Sequence, residues 1–462
     1  MRLGDVLKER KKISASLYLA LGYLSIILTG AILLTTPFAR ASFNWTWDSF
    51  IHSWTNPLDA LFTSTSAACV TGLVTQDTGT YWSIFGQIVI LLLIQLGGLG
   101  FMSIISLVIL IFQRRMNIAQ RKIAVQASGL LEIGDVNSAI KRVVIYTLIF
   151  ETCGALLLCI RFVPLYGGAG VYYSIFTSIS AFCNAGFALF DTSLMAFYND
   201  YLVLSVVMIL IVSGGLGFIV WENLFRSLFR WNKFKLQTKL VLIGSAIIIF
   251  LPAFLFFMFE LRGEAFEGMT VGEKLFNSLF QSITCRTAGF NTVDQSKLTD
   301  SSIMLSNVLM LIGGNSGSTA GGVKLTTIIV LMLAIVSAAR REGVSVGKRR
   351  IEDGLVRQAS AVFVFYLFLV NFALMLINAF ENIFGNGVYA FRDTMFEVIS
   401  AIATVGLSTV GTSNLCIASK ILIIFLMYIG RTGGLTVIYI FIERGNTDDG
   451  ILKRPSEKVS IG

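Results

Sequence analysis

The stretch Ser400–Val410 reads SAIATVGLSTV and turns on one glycine, Gly406. It overlaps a short apolar-amphipathic run, Asp393–Ile402, that is too brief to cross a bilayer. The same design occurs three times earlier. Ser66–Leu73 (SAACVTGL) surrounds Gly72, Ser180–Phe187 (SAFCNAGF) surrounds Gly186, and Ser282–Phe290 (SITCRTAGF) surrounds Gly289. The four glycines stand 114, 103 and 117 residues apart. Self-similarity at a steady long period points to one structural unit used repeatedly. Each copy predicts a short helix followed by an extended turn through its glycine.

Composition sets the solvent around these units. Mean hydropathy is +0.77, with 55% of residues apolar and 14% charged, against about 25% charged in ordinary soluble domains. Several apolar runs exceed the ~20 residues that cross ~30 Å of hydrocarbon, so the chain reads as an all-α polytopic membrane protein. Five prolines against 42 glycines fit close helix packing. The six cysteines (69, 153, 159, 183, 285 and 416) fall in or beside apolar segments without a CxxC pair, and read as small packing residues. A single histidine, His52, excludes a His-rich metal site and a Ser-His-Asp triad. The spans hold no paired carboxylates or His/Cys cluster, which sets an enzyme aside. No organic cofactor and no transition metal is expected on this chain.

Four tandem units follow, at residues 1–113, 114–225, 226–339 and 340–462. The first has a basic start (Met1–Lys12), an apolar run (Ser16–Thr36), the short helix Pro57–Ala68 and a long apolar exit run, Trp82–Phe112. Its basic start and apolar run mimic a secretory signal, but the run is long for one and the repeat needs it as a first helix. The second unit passes from the link Arg114–Arg142 through Val143–Phe162, which contains Glu151, to a short helix near Val171–Phe182 and the exit run Tyr201–Phe225. The third has the link Arg226–Lys239, the run Leu240–Phe259, the short helix Glu273–Thr284 and an exit run, Ile303–Ala338, interrupted by polar residues. The fourth has the link Arg340–Arg357, the run Ala361–Phe380, the opening stretch, the exit run Ile421–Ile442 and a polar tail, Glu443–Gly462. The expected architecture is eight spanning helices and four re-entrant half-helices around a pseudo-fourfold central pore. A glycine cluster recurs 24–28 residues after each turn, at Gly97, Gly214, Gly313 and Gly430.

Charge gives orientation. The N-terminal segment, the three links and the tail carry 26 of the 36 Lys and Arg. By the positive-inside rule both termini and the links are cytoplasmic, in a multi-pass protein of the cell membrane. The opposite loops carry acids such as Asp77, Asp191, Glu264 and Asp300, an outer vestibule that concentrates cations. The net charge of +9 is therefore topological, and nucleic acid is not an expected partner. Anionic membrane lipid is the simplest partner for the basic segments.

Non-helical backbone at membrane depth is tolerable where it is buried in protein or lines water. Four such turns around one axis can form rings of carbonyl oxygens that replace the hydration shell of a monovalent cation. The candidate ion-binding residues are Val70, Thr71 and Gly72; Asn184, Ala185 and Gly186; Thr287, Ala288 and Gly289; and Thr404, Val405 and Gly406. Glycine suits the left-handed dihedrals that inward-pointing carbonyls demand. Thr71, Thr287 and Thr404 can add hydroxyl ligands or brace the turns. The short helices would aim their negative C-terminal dipoles at the ion.

Below the third turn, Ile312–Lys324 reads IGGNSGSTAGGVK. Gly313, Gly317 and Gly321 are spaced for a GxxxG packing seam. Asn315, Ser316, Ser318, Thr319 and Lys324 are too many polar groups for a lipid-facing or tightly packed helix, and an unwound segment lining an aqueous path explains them better. The stretch only approaches a phosphate-binding loop, because Lys324 falls one place late and no strand precedes it. Arg431, within an apolar run, is costly in a membrane and functional by default, as a carbonyl brace or an electrostatic barrier. Glu151 balances a buried donor or influences the pore. Arg286, three residues before Gly289, is placed to pair with an acid behind its turn.

The motifs VTGL, NAGF, TAGFN and TVGLS, each after a short helix, resemble the four pore loops of the Trk/Ktr/HKT superfamily of potassium transporters. Thr404-Val405-Gly406-Leu407 is also similar to the TVGYG filter of potassium channels. The resemblance spans nearly the whole chain and is strongest to the Ktr membrane subunit, since no nucleotide-binding domain is attached. It implies potassium as the transported ion, with sodium co-transported or activating. It also implies a homodimer on a separate cytosolic ring of nucleotide-binding regulatory subunits (RCK/KTN-type). Glycine at all four filter positions resembles the potassium-preferring pattern; in related plant transporters a serine at the first position goes with sodium preference. One glycine per turn, against two in channels, implies fewer complete rings and weaker discrimination. The resemblance makes Gly313, Gly314, Asn315, Ser316, Gly317, Ser318, Thr319, Gly321, Gly322 and Lys324 an intramembrane gating loop, with Arg431 as its companion. The competing class is a tightly coupled Na+/K+ or H+/K+ symporter with alternating access, marked by a fixed flux ratio.

Overall fold

In the computed structural model, residues 15–44, 46, 53–100, 136–340, 342–346, 349–385 and 389–434 are described. The segment Met1–Lys12, His52, residues 101–135 of the first exit run and its link, residues 435–442 and the tail Glu443–Gly462 lie outside them. The described residues are helical apart from loops and one short hairpin in the third link, Ser345–Val346 with Arg349–Arg350.

The first unit contributes α1 (Ala15–Thr35), α2 (Pro57–Ala68) and α3 (Ile84–Leu99). The second contributes α4 (Val136–Tyr166), α5 (Ala169–Cys183), α6 (Tyr201–Leu216) and α7 (Phe218–Arg226). In the third are α8 (Leu236–Phe259), α9 (Val271–Thr284), α10 (Asp300–Leu311) and α11 (Leu325–Arg340). The fourth holds α12 (Asp353–Phe384), α13 (Phe391–Ala403) and α14 (Ile417–Thr432). Local capping residues set several of the starts. Asn56 accepts from Leu58 N–H at 3.0 Å with Pro57 at the first helical position of α2, and Ser83 caps α3 through Gly86 N–H. Asp200 caps α6, and Thr270 with Glu273 forms a capping box on α9.

Lys141–Tyr166, Leu236–Phe259 and Asp353–Phe384 are long and apolar enough to span a bilayer. Their outer faces expose large apolar side chains, such as Ile247, Phe250 and Phe254 on α8 and Phe368, Phe372 and Met375 on α12. Water would penalise such faces and lipid does not.

Three of the exit runs, read from sequence as continuous, are broken, and the third is interrupted where its polar residues predicted. A glycine with positive φ stops α3 at Gly100 (+80°) and α14 at Gly433 (+87°). Gly217 (+90°) bends α6 against α7 by 93°. In the third unit the helix ends at Leu311 and resumes at Leu325, with Gly317 at +70° between. The left-handed conformation is cheap only for glycine, and it ends the α-helical hydrogen-bond ladder.

Within each unit the first helix packs on the short helix: α1 on α2, α4 on α5, α8 on α9, α12 on α13. Between units, α3 packs on α5, α6 on α9, α10 on α13, and α14 returns to α2. The contacts thus run in one direction and close on themselves. Tyr428 of α14 also donates to the Ala20 carbonyl of α1 at 2.7 Å.

Candidate functional site: four turns and the loop beneath them

The residue two before each key glycine is left-handed in every copy: Val70 (φ +57°), Asn184 (+59°), Thr287 (+65°) and Thr404 (+53°). The glycines follow at +96°, +71°, +78° and +93° for Gly72, Gly186, Gly289 and Gly406. Two left-handed residues flanking one other make the same backbone course four times. Side chains at the glycines are excluded by the next unit. A Cβ on Gly72 would lie 2.6 Å from the Ala185 carbonyl oxygen, and one on Gly186 2.9 Å from that of Ala288. On Gly289 it would strike the Val405 carbonyl, and on Gly406 the Thr71 carbonyl. The four turns named from sequence therefore meet in one cluster, buried except for the half-buried Gly186 and Gly406, with each glycine beside the carbonyl preceding the next glycine.

Bracing comes from residues the sequence reading did not single out. Ser66 Oγ accepts from Gly72 N–H at 3.0 Å and Ser400 Oγ from Gly406 N–H at 3.1 Å. Ser180 Oγ donates to Phe187 O at 2.7 Å and Thr284 Oγ1 to Phe290 O at 2.8 Å. The signal was present as the serine that opens all four motifs, three of which brace their turn. In the third copy Thr284 takes this place, one residue closer to its glycine. Ser282 instead donates to Ile249 O of α8 at 2.7 Å, as Ser64 does to Ile27 O and Ser178 to Glu151 O. The hydroxyls of Thr71, Thr287 and Thr404 are buried without a hydrogen-bond partner among the described residues, so they do not brace the turns.

The glycines of the exit helices allow close approach. A side chain on Gly97, Gly214 or Gly430 would strike the carbonyl of Ala68, Phe182 or Ile402, the residue four before its own turn glycine. Gly313 faces Gly321 instead, inside the non-helical segment 312–324. That segment is short-circuited by Gly313 N–H to Val323 O at 2.9 Å. It is tied to the second unit through Asn315, whose N–H and side-chain amide both reach Gly215 O at 3.1 Å. Phe218 N–H donates to Gly317 O at 2.9 Å, and Thr319 Oγ1 to Phe182 O at 3.3 Å. Gly321 lies against the Thr404 hydroxyl of the fourth turn.

Arg431 joins this loop to the first unit: its guanidinium donates to Thr319 O and to Gly97 O. Lys324 Nζ donates to Ala320 O at 2.6 Å. Below lies a cavity of about 700 Å³ whose wall includes Gly98, Ser316, Ser318, Lys324 and Arg431. Glu151 is buried and takes the Gln95 amide on both oxygens, at 3.0 and 3.1 Å, so its donor is neutral. The expected acid partner of Arg286 is not there. Its side chain is buried, Nε lacks a hydrogen bond, and no carboxylate among the described residues reaches it.

Comparison with known proteins gives the family and the overall fold. The TrkH family model, described as a cation transport protein, matches residues 42–448. The chain is 36% identical to the potassium/sodium uptake protein NtpJ of Enterococcus hirae, over 98% of this chain and 99% of that protein. It is also 36% identical to the Ktr system potassium uptake protein B of Bacillus subtilis, over 96% of each. The crystal structure of the potassium transporter TrkH from Vibrio parahaemolyticus superposes with a TM-score of 0.71, covering 94% of this chain and 86% of that one. At 18% identity that likeness speaks to the fold alone.

Proposed function

The chain belongs to the TrkH cation transport family, transporters rather than enzymes, and we propose that it is the potassium-translocating subunit of an uptake system. The single observation that carries the reading is the closed cycle of Gly72, Gly186, Gly289 and Gly406, each against the carbonyl of the next unit. Around that cycle the carbonyls of the four turns replace potassium's water. The unpartnered hydroxyls of Thr71, Thr287 and Thr404 remain free to meet the ion or its water. The four units form a pseudo-fourfold pore. The segment Gly313–Lys324 is its gate, held shut by Arg431 across units.

Relatives named as potassium uptake proteins of a Ktr system support potassium as cargo and a partner subunit. The relative named for both potassium and sodium supports a role for sodium. A homodimer on a cytosolic nucleotide-binding ring, with both termini cytoplasmic, completes the proposal. The test is potassium uptake by a potassium-uptake-deficient bacterium expressing the chain, wild type beside Gly72→Ser, with sodium varied. Potassium preference that Gly72→Ser abolishes supports the filter. Unchanged preference in a well-expressed variant removes it.

A further inference from the structure

The four short helices are not equivalent behind the turns. Three residues before each bracing hydroxyl stand Thr63, Thr177, Gln281 and Glu397, all at most 1% exposed. Thr63 and Thr177 leave their hydroxyls without a partner among the described residues. Gln281 pairs reciprocally with Gln295, six residues after Gly289, at 2.7 and 3.1 Å. Glu397 reaches the matching position in the fourth unit. One carboxylate oxygen accepts from Ser408 Oγ, two residues after Gly406, and the other from Thr412 Oγ1 at 3.5 Å. Ser408 Oγ in turn accepts from Gly411 N–H at 2.8 Å, and Gly411 is left-handed at φ +74°. No lysine or arginine among the described residues lies within ion-pair reach of this carboxylate. Arg392, at the start of α13, spends itself on Asp300 and Asp393.

A buried carboxylate without a cation is expensive unless its hydrogen bonds are made and something gains from it. Here the gain is shape. The chain Glu397–Ser408–Gly411 fixes the course of the backbone on the outer side of Gly406, as Gln281 with Gln295 does outside Gly289. At the equivalent positions of the first two turns, Thr63 and Thr177 make no such strut among the described residues; outside Gly72 the short helix is tied instead from its first turn, where the Gln76 amide donates to Asp59 at 3.2 Å. We propose that Glu397 is a positioning residue that sets ion preference: through Ser408 it holds the fourth turn open to potassium's size. This rests on the filter reading above. A ring of carbonyls prefers the larger ion only if it does not contract onto the smaller one. A strut outside one turn opposes that contraction.

The experiment measures uptake of potassium and its competition by sodium in the uptake-deficient bacterium, for Ser408→Ala, Glu397→Gln, the double variant and Gly72→Ser. Ser408→Ala removes the hydroxyl and leaves the carboxylate, so it decides the matter even if Glu397→Gln fails to reach the membrane. The expected result is a roughly tenfold loss of potassium-over-sodium preference in Ser408→Ala at unchanged membrane abundance. Glu397→Gln moves in the same direction, and the double variant is no worse than the stronger single one, because both cut one chain. A merely structural role would lower the maximal rate or abundance and leave preference alone, and that outcome overturns the proposal. If Gly72→Ser shifts preference while the Ser408 and Glu397 variants do not, this inference fails alone. If none of them shifts it, the filter reading falls as well.

Discussion

Replacing Arg431 by glutamine isolates the link between gate and filter. The guanidinium donates to Thr319 O of the loop and Gly97 O of α3, and the shorter glutamine amide could keep at most one of these bonds. Hydrogen bonds from charged groups contribute about 1.5–3 kcal/mol each. Arg431 is half-buried, so water partly compensates, and a net loss of about 2–3 kcal/mol is the expected cost to the closed loop. At 1.36 kcal/mol per factor of ten, the open-to-closed ratio rises roughly 30- to 150-fold. The remaining ties of the loop, Asn315 to Gly215 and Phe218 to Gly317, keep it from unfolding. The assay is rubidium or potassium influx into proteoliposomes holding the purified chain without a regulatory partner. The proposed gate predicts an initial rate at least tenfold above wild type, with potassium preference retained because the turns are untouched. A folded Arg431→Gln protein with wild-type or slower influx would refute the idea that this arginine holds the path closed.

Other outcomes follow from the same contacts. Ser66→Ala strips the buried Gly72 N–H of its acceptor at a cost of about 1–3 kcal/mol, so the solubilised variant should aggregate at lower temperature and bind potassium more weakly. Gly97→Val drives a side chain into the Ala68 carbonyl and should reduce membrane abundance, measured by immunoblot. Gly354→Ala, where a Cβ meets nothing within 4 Å in the first turn of α12, should be neutral or stabilising by about 0.5–1 kcal/mol in thermal aggregation of the solubilised protein. Asp200→Ala removes the cap of α6 and the Arg161 ion pair. It should cost about 1 kcal/mol in thermal stability without altering ion preference.

The repeated elements were legible because glycine has few reasons to recur at steady spacing. The short helix Pro57–Ala68 has the same bounds in sequence and structure, since Asn56, Pro57 and the small residues before Val70 mark both ends. The polar loop after Ile312 was legible from its cost at that depth, and it is non-helical there. Other features had local signals that hydropathy hides. Leu99-Gly100 and Leu216-Gly217 look like more apolar helix, and only the positive φ reveals the break. In the third copy Ser282 and Thr284 take the places of Ser64 and Ser66, each one residue nearer its glycine, a shift of register that matching the opening serines cannot display. The partners of Glu397 lie 11 and 15 residues on in the same unit, and the want of a carboxylate beside Arg286 among the described residues depends on how the loop after each turn folds back over its short helix, which spacing alone does not display.

Whether an ion sits among the four turns can be seen by growing crystals in rubidium or thallium in place of potassium and recording anomalous scattering. A carbonyl filter predicts a peak enclosed by the turns of Thr71, Ala185, Ala288 and Val405, lost when sodium alone is present. An anomalous peak elsewhere along the chain, with none among those turns in a protein that still takes up potassium, would contradict it.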